Sequence, residues 1–439
     1  MPPTGRAGGY GAAIAARLLI LAVLALAAGC DSGGERPPEP PPPPPSPITE
    51  AGLVGHLAAL QEIAQANGGE RAAGTPGYAA SADYVAEVLR GAGWRVHRQE
   101  VPMAVWHERS PAELTLESAG ALEPGRDFRV PSYSGGGRAE GALRVVENAC
   151  EPKDFTGLAP GDVAFTGFGG CLLWRKTKNA RRAGAGALIV QTATSGRGVP
   201  SATLAVPRLG LPVMLLSADV SARDGEQVRL SVDAVTERGT TENVIAEAGD
   251  TRGRVAMAGA HLDSVPGGPG INDNGSGVAT LLEVAVSFGS RQPGRIRLAF
   301  WGAEEEGLIG SRHYVRELSE DERRAIAAYL NLDMVGSPNA VPAVYSDGEP
   351  DLGKLLREAH PGRERGVLTG NRSDHSAFER VGVPVNGLYT GASEPGPGGR
   401  PRDPCYHLPC DTLAIVDRDV LLNMARATAR ALGELAQAK

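Results

Sequence analysis

Between residue 48 and about residue 104, apolar positions first recur at helical spacing and then alternate, which predicts two helices followed by a strand. ITEAGLVGHLAALQEIAQ carries the first helix, and Thr75-Pro76 supplies a capping hydroxyl and a first-turn proline for the second, ASADYVAEVLRGAG. From about 105 to 240 the texture changes to short β-type runs, LRVVE, DVAFTG, ALIVQT, LPVMLL and VRLSV, broken by Gly and Pro. One basic stretch there, LLWRKTKNARRAGA, reads as a helix. From 241 onward strands and helices alternate, the rhythm of a mostly parallel central sheet with helices on both faces. The expected fold class is therefore α/β, with a mainly-β segment at 105–240 separating residues 48–104 from residues 241–439.

Ahead of the folded region, Arg6 and Arg17 precede an apolar run from Leu18 to Ala28 that is 11 residues long, too short to span a bilayer. The run ends in small residues before Cys30, so residues 1–30 read as an export signal. Its ending, Leu26-Ala27-Ala28-Gly29-Cys30, resembles a bacterial lipoprotein box, in which the cysteine is lipidated and becomes the new N-terminus. The resemblance implies a lipid anchor on Cys30 as the sole membrane contact, and an exported address at the cell surface or in the periplasm. Residues 31–47 carry nine prolines, which favour an extended polyproline II tether.

Composition narrows the function classes. With 42% apolar and 22% charged residues the chain is not a disordered type, and enough of it remains for two ordinary domains. A net charge of −7 offers no basic stripe for a phosphate backbone, so no nucleic-acid partner is expected. Apart from Cys30 there are four cysteines, Cys150, Cys171, Cys405 and Cys410, an even count that argues for two bridges in an exported chain. Three pairings are possible; proximity favours Cys150 with Cys171 and Cys405 with Cys410. No CxxC pair is present to suggest a structural zinc.

Three apolar runs stop abruptly at groups that can bind metal. VAMAGA leads into His261-Leu262-Asp263, IRLAFWGA into Glu304-Glu305-Glu306, and AAYLNL into Asp333. Asp273 lies in the turn-rich GINDNGSG before a helix, and Tyr406-His407 lies inside the Cys405 to Cys410 loop. In open α/β sheets ligands bind outside the carboxyl ends of the strands, so these groups should converge on one rim. Taken singly, each acid reads as a cap or solvated group. GINDNGSG could suggest a phosphate cradle, but neither the GK[ST] ending nor the GxGxxG spacing occurs. Together, two histidines and at least three carboxylates without a cysteine make the nitrogen and oxygen donor set of a catalytic zinc site.

HLDSVPGGPGINDNGSGVATLLE, AFWGAEEEGLIGSRHYV, YLNLDMVGSPN, NRSDHSAFERVGVPVNGLYTGA and CYHLPCDT resemble, in order and over most of residues 241–430, the secreted dizinc aminopeptidases of bacteria, the streptomycete type. ERAAGTPGYAASADYV resembles the start of the same zinc exopeptidase fold, and the middle stretch resembles an inserted protease-associated domain. The resemblance implies a metallo-aminopeptidase with two zinc ions acting on peptides with a free N-terminus. His261 and Asp333 would hold one ion, Glu305 and His407 the other, and Asp273 would bridge them. Asp263 would hydrogen-bond His261, Glu304 would be the general base, and Tyr406 would bind the oxyanion. Glu306 would be the solvated or capping neighbour.

The same resemblance places Arg372 at the substrate end of the pocket, and Met334, Asn371 and Tyr389 where relatives line the side-chain pocket. Calcium, which some relatives hold on the last helix, is not expected, because LLNMARATAR offers no carboxylate. The inserted segment is expected to modulate access or partner choice without doing chemistry. Two other readings stay open at this point: a glutaminyl cyclase-like acyltransferase or carboxypeptidase on the same scaffold, and a metal-free binding protein that uses the inserted segment.

Overall fold

A computed structural model describes residues 47–193, 196–290, 292, 294–359, 364–365, 372–396 and 401–438. Cys30, the tether up to residue 46, and Asn371 lie outside the described residues.

The first helix, Glu50–Ala66, starts where the Thr49 hydroxyl accepts the Gly52 N–H at 3.0 Å; the second, Pro76–Gly91, starts where the Thr75 hydroxyl accepts the Tyr78 N–H at 3.3 Å. Their apolar faces bury Leu53, Leu57, Leu60, Val85 and Leu89 in one core with Val278 and Leu281 of the helix Ser276–Phe288 and Leu421 and Met424 of the helix Arg418–Gln437. Each such side chain contributes about 1.5–3 kcal/mol by leaving water.

These helices cover one face of a sheet whose central strands, in the spatial order Val385–Tyr389, Ile326–Leu332, Val255–His261 and Arg295–Trp301, are all parallel. Trp301, Tyr314, Tyr329 and Phe378 cover the other face, with Tyr329 and Phe378 stacked at 4.0 Å between ring centroids. Burial on both faces explains why these strands read as continuous apolar runs. Every residue of Val255–His261 is buried.

The sheet extends through two strands of 22 residues, Arg95–Leu116 and Gln227–Ala248, paired antiparallel from Arg95↔Glu247 to Leu116↔Val228. At one end Gln227–Ala248 pairs with Arg295–Trp301; at the other it pairs with Gly137–Val145. Beyond Gly137–Val145 come the parallel strands Val163–Gly167, Ala187–Gln191 and Val213–Leu216. This second region has its own buried clusters, one around Phe128, Ile189 and Leu230, the other around Leu188, Val190 and Leu215. The change of texture at 105 and 240 thus falls inside a continuous ribbon, where Val105 faces Glu237 and Pro102 faces Thr240. No helix among the described residues is long and apolar enough to cross a membrane.

Candidate metal centre and active site

Because the central strands are parallel, their carboxyl ends share one rim. His261 ends its strand, Asp333 directly follows Leu332, and Glu304 and Glu305 follow the turn after Trp301. Asp273 occupies the irregular turn Ile271–Gly275, where its peptide bond to Asn274 is cis. That turn is held from outside. The N–H groups of Asn272 and Asp273 donate to the two Asp411 carboxylate oxygens at 2.7 and 2.9 Å, and Asn274 Nδ2 donates to Leu332 O at 2.8 Å. His407 comes from the loop closed by Cys405 and Cys410, whose Cα atoms are 5.3 Å apart.

The side chains then converge. Asp273 Oδ1 lies 3.2 Å from His261 Nε2, and Asp273 Oδ2 lies 3.3 Å from His407 Nε2. Asp333 Oδ1 lies 3.5 Å from His261 Nε2, and Glu305 Oε2 lies 3.2 Å from His407 Nε2. Potential ligand atoms of His261, Asp273 and Asp333 fall within 4.8 Å of one another, and so do those of Asp273, Glu305 and His407. Glu304 joins His261 and Glu305 in a third such group.

Burial alone would lower the two imidazoles, but Glu304, Asp263, Asp273 and Asp333 around His261, and Glu305 and Asp273 around His407, hold both well above the ordinary histidine range. Burial would raise Asp273, yet the two histidines outweigh it and keep this carboxylate low. Glu304, 9% exposed, is pushed well above the usual range by burial and by Glu305, Asp374 and Asp333. Burial also raises Glu305, whose buried Oε1 has no hydrogen-bond partner. A buried cluster with more acids than histidines and an orphaned carboxylate oxygen fits a divalent cation. The donors are nitrogen and oxygen, which suits zinc in a catalytic role.

A family model, Peptidase family M28, matches residues 243–432. The aminopeptidase of Pseudomonas aeruginosa is 36% identical over 422 residues, covering 85% of this chain and 78% of that protein. The chain belongs to peptidase family M28. A second M28 relative, "Probable lipoprotein aminopeptidase LpqL" of Mycobacterium tuberculosis, is 35% identical over 438 residues, covering 89% of this chain and 85% of its own length. The structure of BSAP, a zinc aminopeptidase from Bacillus subtilis, superposes with a TM-score of 0.73 at 26% identity, covering 90% of this chain and 96% of that one.

In the M28 site here, the sequence-selected His261, Asp273, Glu304, Glu305, Asp333, Tyr406 and His407 all line one cavity, together with Met334, Arg372 and Tyr389. Both proposed cysteine pairs are bonded, Cys150 to Cys171 and Cys405 to Cys410. Asp263 meets His261 through its main chain. His261 Nδ1 donates to the Asp263 main-chain oxygen at 3.0 Å, with the carboxylate at 3.7 Å. The carboxylate instead accepts the N–H groups of Glu304 and Glu305, which the turn after the strand leaves without ladder partners. Glu306, partly exposed, accepts the Thr203 hydroxyl through Oε2 at 3.0 Å.

Sequence reading missed several supports. Arg71, fully buried, reaches the carbonyls of Leu262, Pro269 and Gly270, and so fixes the loop between His261 and Asp273. Asp374, 1% exposed, faces His261, Asp263 and Asp333, and burial pushes its carboxyl up to about 7. Both lie in segments that carried the family resemblance, ERAAGTPG and NRSDHSAF, which was the available signal. Glu394 also lines the cavity and accepts the Tyr389 hydroxyl at 2.8 Å.

Proposed function

We propose that this M28 metallo-aminopeptidase, a hydrolase of peptide bonds, removes the N-terminal residue of peptides at a dinuclear zinc site, with Glu304 as general base. The observation that carries the reading is Asp273, which turns one carboxylate oxygen to His261 and the other to His407. A carboxylate shared in this way would serve two ions at once. His261 and Asp333 would hold one, Glu305 and His407 the other.

When bound, the ions polarise the scissile carbonyl and lower the pKa of the attacking water. Glu304 is buried beside the ligands, grouped with His261 and Glu305, where it would take the water proton and pass it to the leaving nitrogen as the C–N bond breaks. Burial keeps the Tyr406 phenol protonated well beyond neutral pH, so its O–H remains a donor for the oxyanion. Glu304 and Asp333 give the end of the cavity a negative field for a free α-ammonium group. Met334, Asn371 and Tyr389 would receive the first side chain, with Arg372 framing the substrate end. The 105–240 segment would be a protease-associated domain. A lipidated Cys30 would hold the exported enzyme at a membrane, a reading supported by the two disulfides and by the lipoprotein named among its relatives.

The test is a panel of aminoacyl anilides and peptides, with free and acetylated N-termini, run on chelated and zinc-restored protein. Turnover should return with zinc and only for free N-termini. Efficient internal cleavage of an acetylated peptide would make the enzyme an endopeptidase, and cyclisation of N-terminal Gln without hydrolysis would make it an acyltransferase.

A further inference from the structure

The 105–240 segment reaches the active site through a short strap around Ser201, 6% exposed. Ser201 and His407 exchange two hydrogen bonds. The Ser201 N–H donates to His407 O at 2.9 Å, and His407 Nδ1 donates to Ser201 O at 3.0 Å. The strap itself is tied on two sides. The Ser201 hydroxyl donates to Pro266 O at 2.7 Å and the Thr203 hydroxyl to Glu306 Oε2 at 3.0 Å, both on the catalytic part. Main-chain bonds from Ser132 N–H to Ala202 O and from Leu204 N–H to Ser132 O, each 3.0 Å, tie it to its own segment.

An imidazole can offer Nε2 to a cation only while its proton sits on Nδ1, and the acceptor facing Nδ1 decides this. For His407 that acceptor comes from a segment about 200 residues earlier in the chain, with a separation of 206. His407 also holds φ at +58°, the left-handed region that a side chain normally avoids, so its conformation has to be maintained by its surroundings. His261 differs: its Nδ1 partner, Asp263 O, is two residues away on the same strand end.

We infer that Ser201 is a positioning residue for His407, and that the 105–240 segment is a working part of one metal position and not of the other. The Ser201 carbonyl sets the tautomer and the direction of Nε2, and the Ser201 and Thr203 hydroxyls hold that carbonyl in place. Loosening the strap therefore weakens the ion held by Glu305 and His407 while the ion held by His261 and Asp333 stays. The inference rests on the two-metal reading.

The experiment is an equilibrium zinc titration of the metal-free full chain against a chromogenic chelator, for wild type, S201A/T203V and S201P, with thermal melting of each metal-free protein as the fold control. S201A/T203V removes the two hydroxyl anchors, together with the bond from the Ala205 N–H to the Thr203 hydroxyl; S201P removes the Ser201 hydroxyl anchor and the N–H bond to His407 and leaves Thr203 in place. The double variant should bind one equivalent as wild type does and the other about tenfold more weakly, with an unchanged melt, since partners behind a metal ligand carry effects of this size. S201P should weaken the same equivalent as well; if its melt collapses, the double variant alone decides. Unchanged affinity at both positions, or equal loss at both, would overturn the role of Ser201. Wild type saturating at one equivalent would instead remove the two-metal reading. In that case weakening of the single site in S201A/T203V upholds Ser201, and no weakening overturns it.

Discussion

The Asp263 carboxylate accepts the main-chain N–H of Glu304 at 3.1 Å through Oδ1, while its Oδ2 accepts the N–H of Glu305 at 3.2 Å. One buried side chain, 0% exposed, thus fixes the backbone of two adjacent acids, and its main-chain oxygen orients His261 as well. Asp263→Ala would leave both N–H groups without an acceptor, at about 1–3 kcal/mol each. The expected result is a kcat lower by about 10- to 100-fold with weakened zinc retention. Steady-state kinetics with elemental analysis would check it, and a near-normal kcat would rule out the positioning role.

Arg71 acts at longer range. It is 0% exposed, burial lowers its guanidinium to about 10 while Asp263, Asp411 and Asp273 oppose that shift, and it remains charged at neutral pH. Its Nε donates to Pro269 O at 2.9 Å and Nη2 to Gly270 O at 2.7 Å. Methionine fills similar length without a donor, so Arg71→Met should lose about 3–5 kcal/mol, mostly from carbonyls and acids left uncompensated. The urea unfolding midpoint reads this directly. A midpoint unchanged from wild type would show the clamp to be dispensable.

The ring closed by Cys405 and Cys410 carries His407, and Asp411 just beyond it holds the N–H groups of Asn272 and Asp273. Replacing both cysteines by serine should therefore weaken zinc at the His407 position more than at the His261 position. Two zinc equivalents bound as tightly as in wild type would speak against a role for the bridge.

Of the candidate ligands, His261, Glu305 and Asp333 were legible because apolar runs stop at them, and in a parallel sheet such ends must meet; Asp273, in a turn, and His407, in a disulfide loop, took their roles from the family resemblance. The helix starts at Thr49 and Thr75 were legible for the same local reason: a hydroxyl followed by helical spacing. Ser201 and Arg71 were not. Their work is done with or upon main-chain carbonyls far away in the sequence, at a separation of 206 for Ser201 and 191 to 199 for Arg71. Main-chain partners leave no side-chain pattern to read. The boundary at 105 and 240 was visible as a change in composition, yet the ribbon Arg95–Leu116 with Gln227–Ala248 runs through it unbroken. Alternating residues on a two-stranded ribbon look the same whichever sheet the ends join.

The most direct measurement is kcat together with zinc content for Glu304→Gln and Glu305→Gln side by side. Glu305 Oε2 lies 3.2 Å from His407 Nε2, in the group shared with Asp273, whereas Glu304 is buried next to that group with its carboxyl held in a raised range. Glu304→Gln should retain two zinc equivalents and a wild-type KM while kcat falls by about 10²- to 10⁴-fold, the size of a general-base contribution. Glu305→Gln should lose zinc first. A Glu304→Gln protein with near-normal kcat, or one that loses zinc as readily as Glu305→Gln, would contradict the assignment of Glu304 as the base.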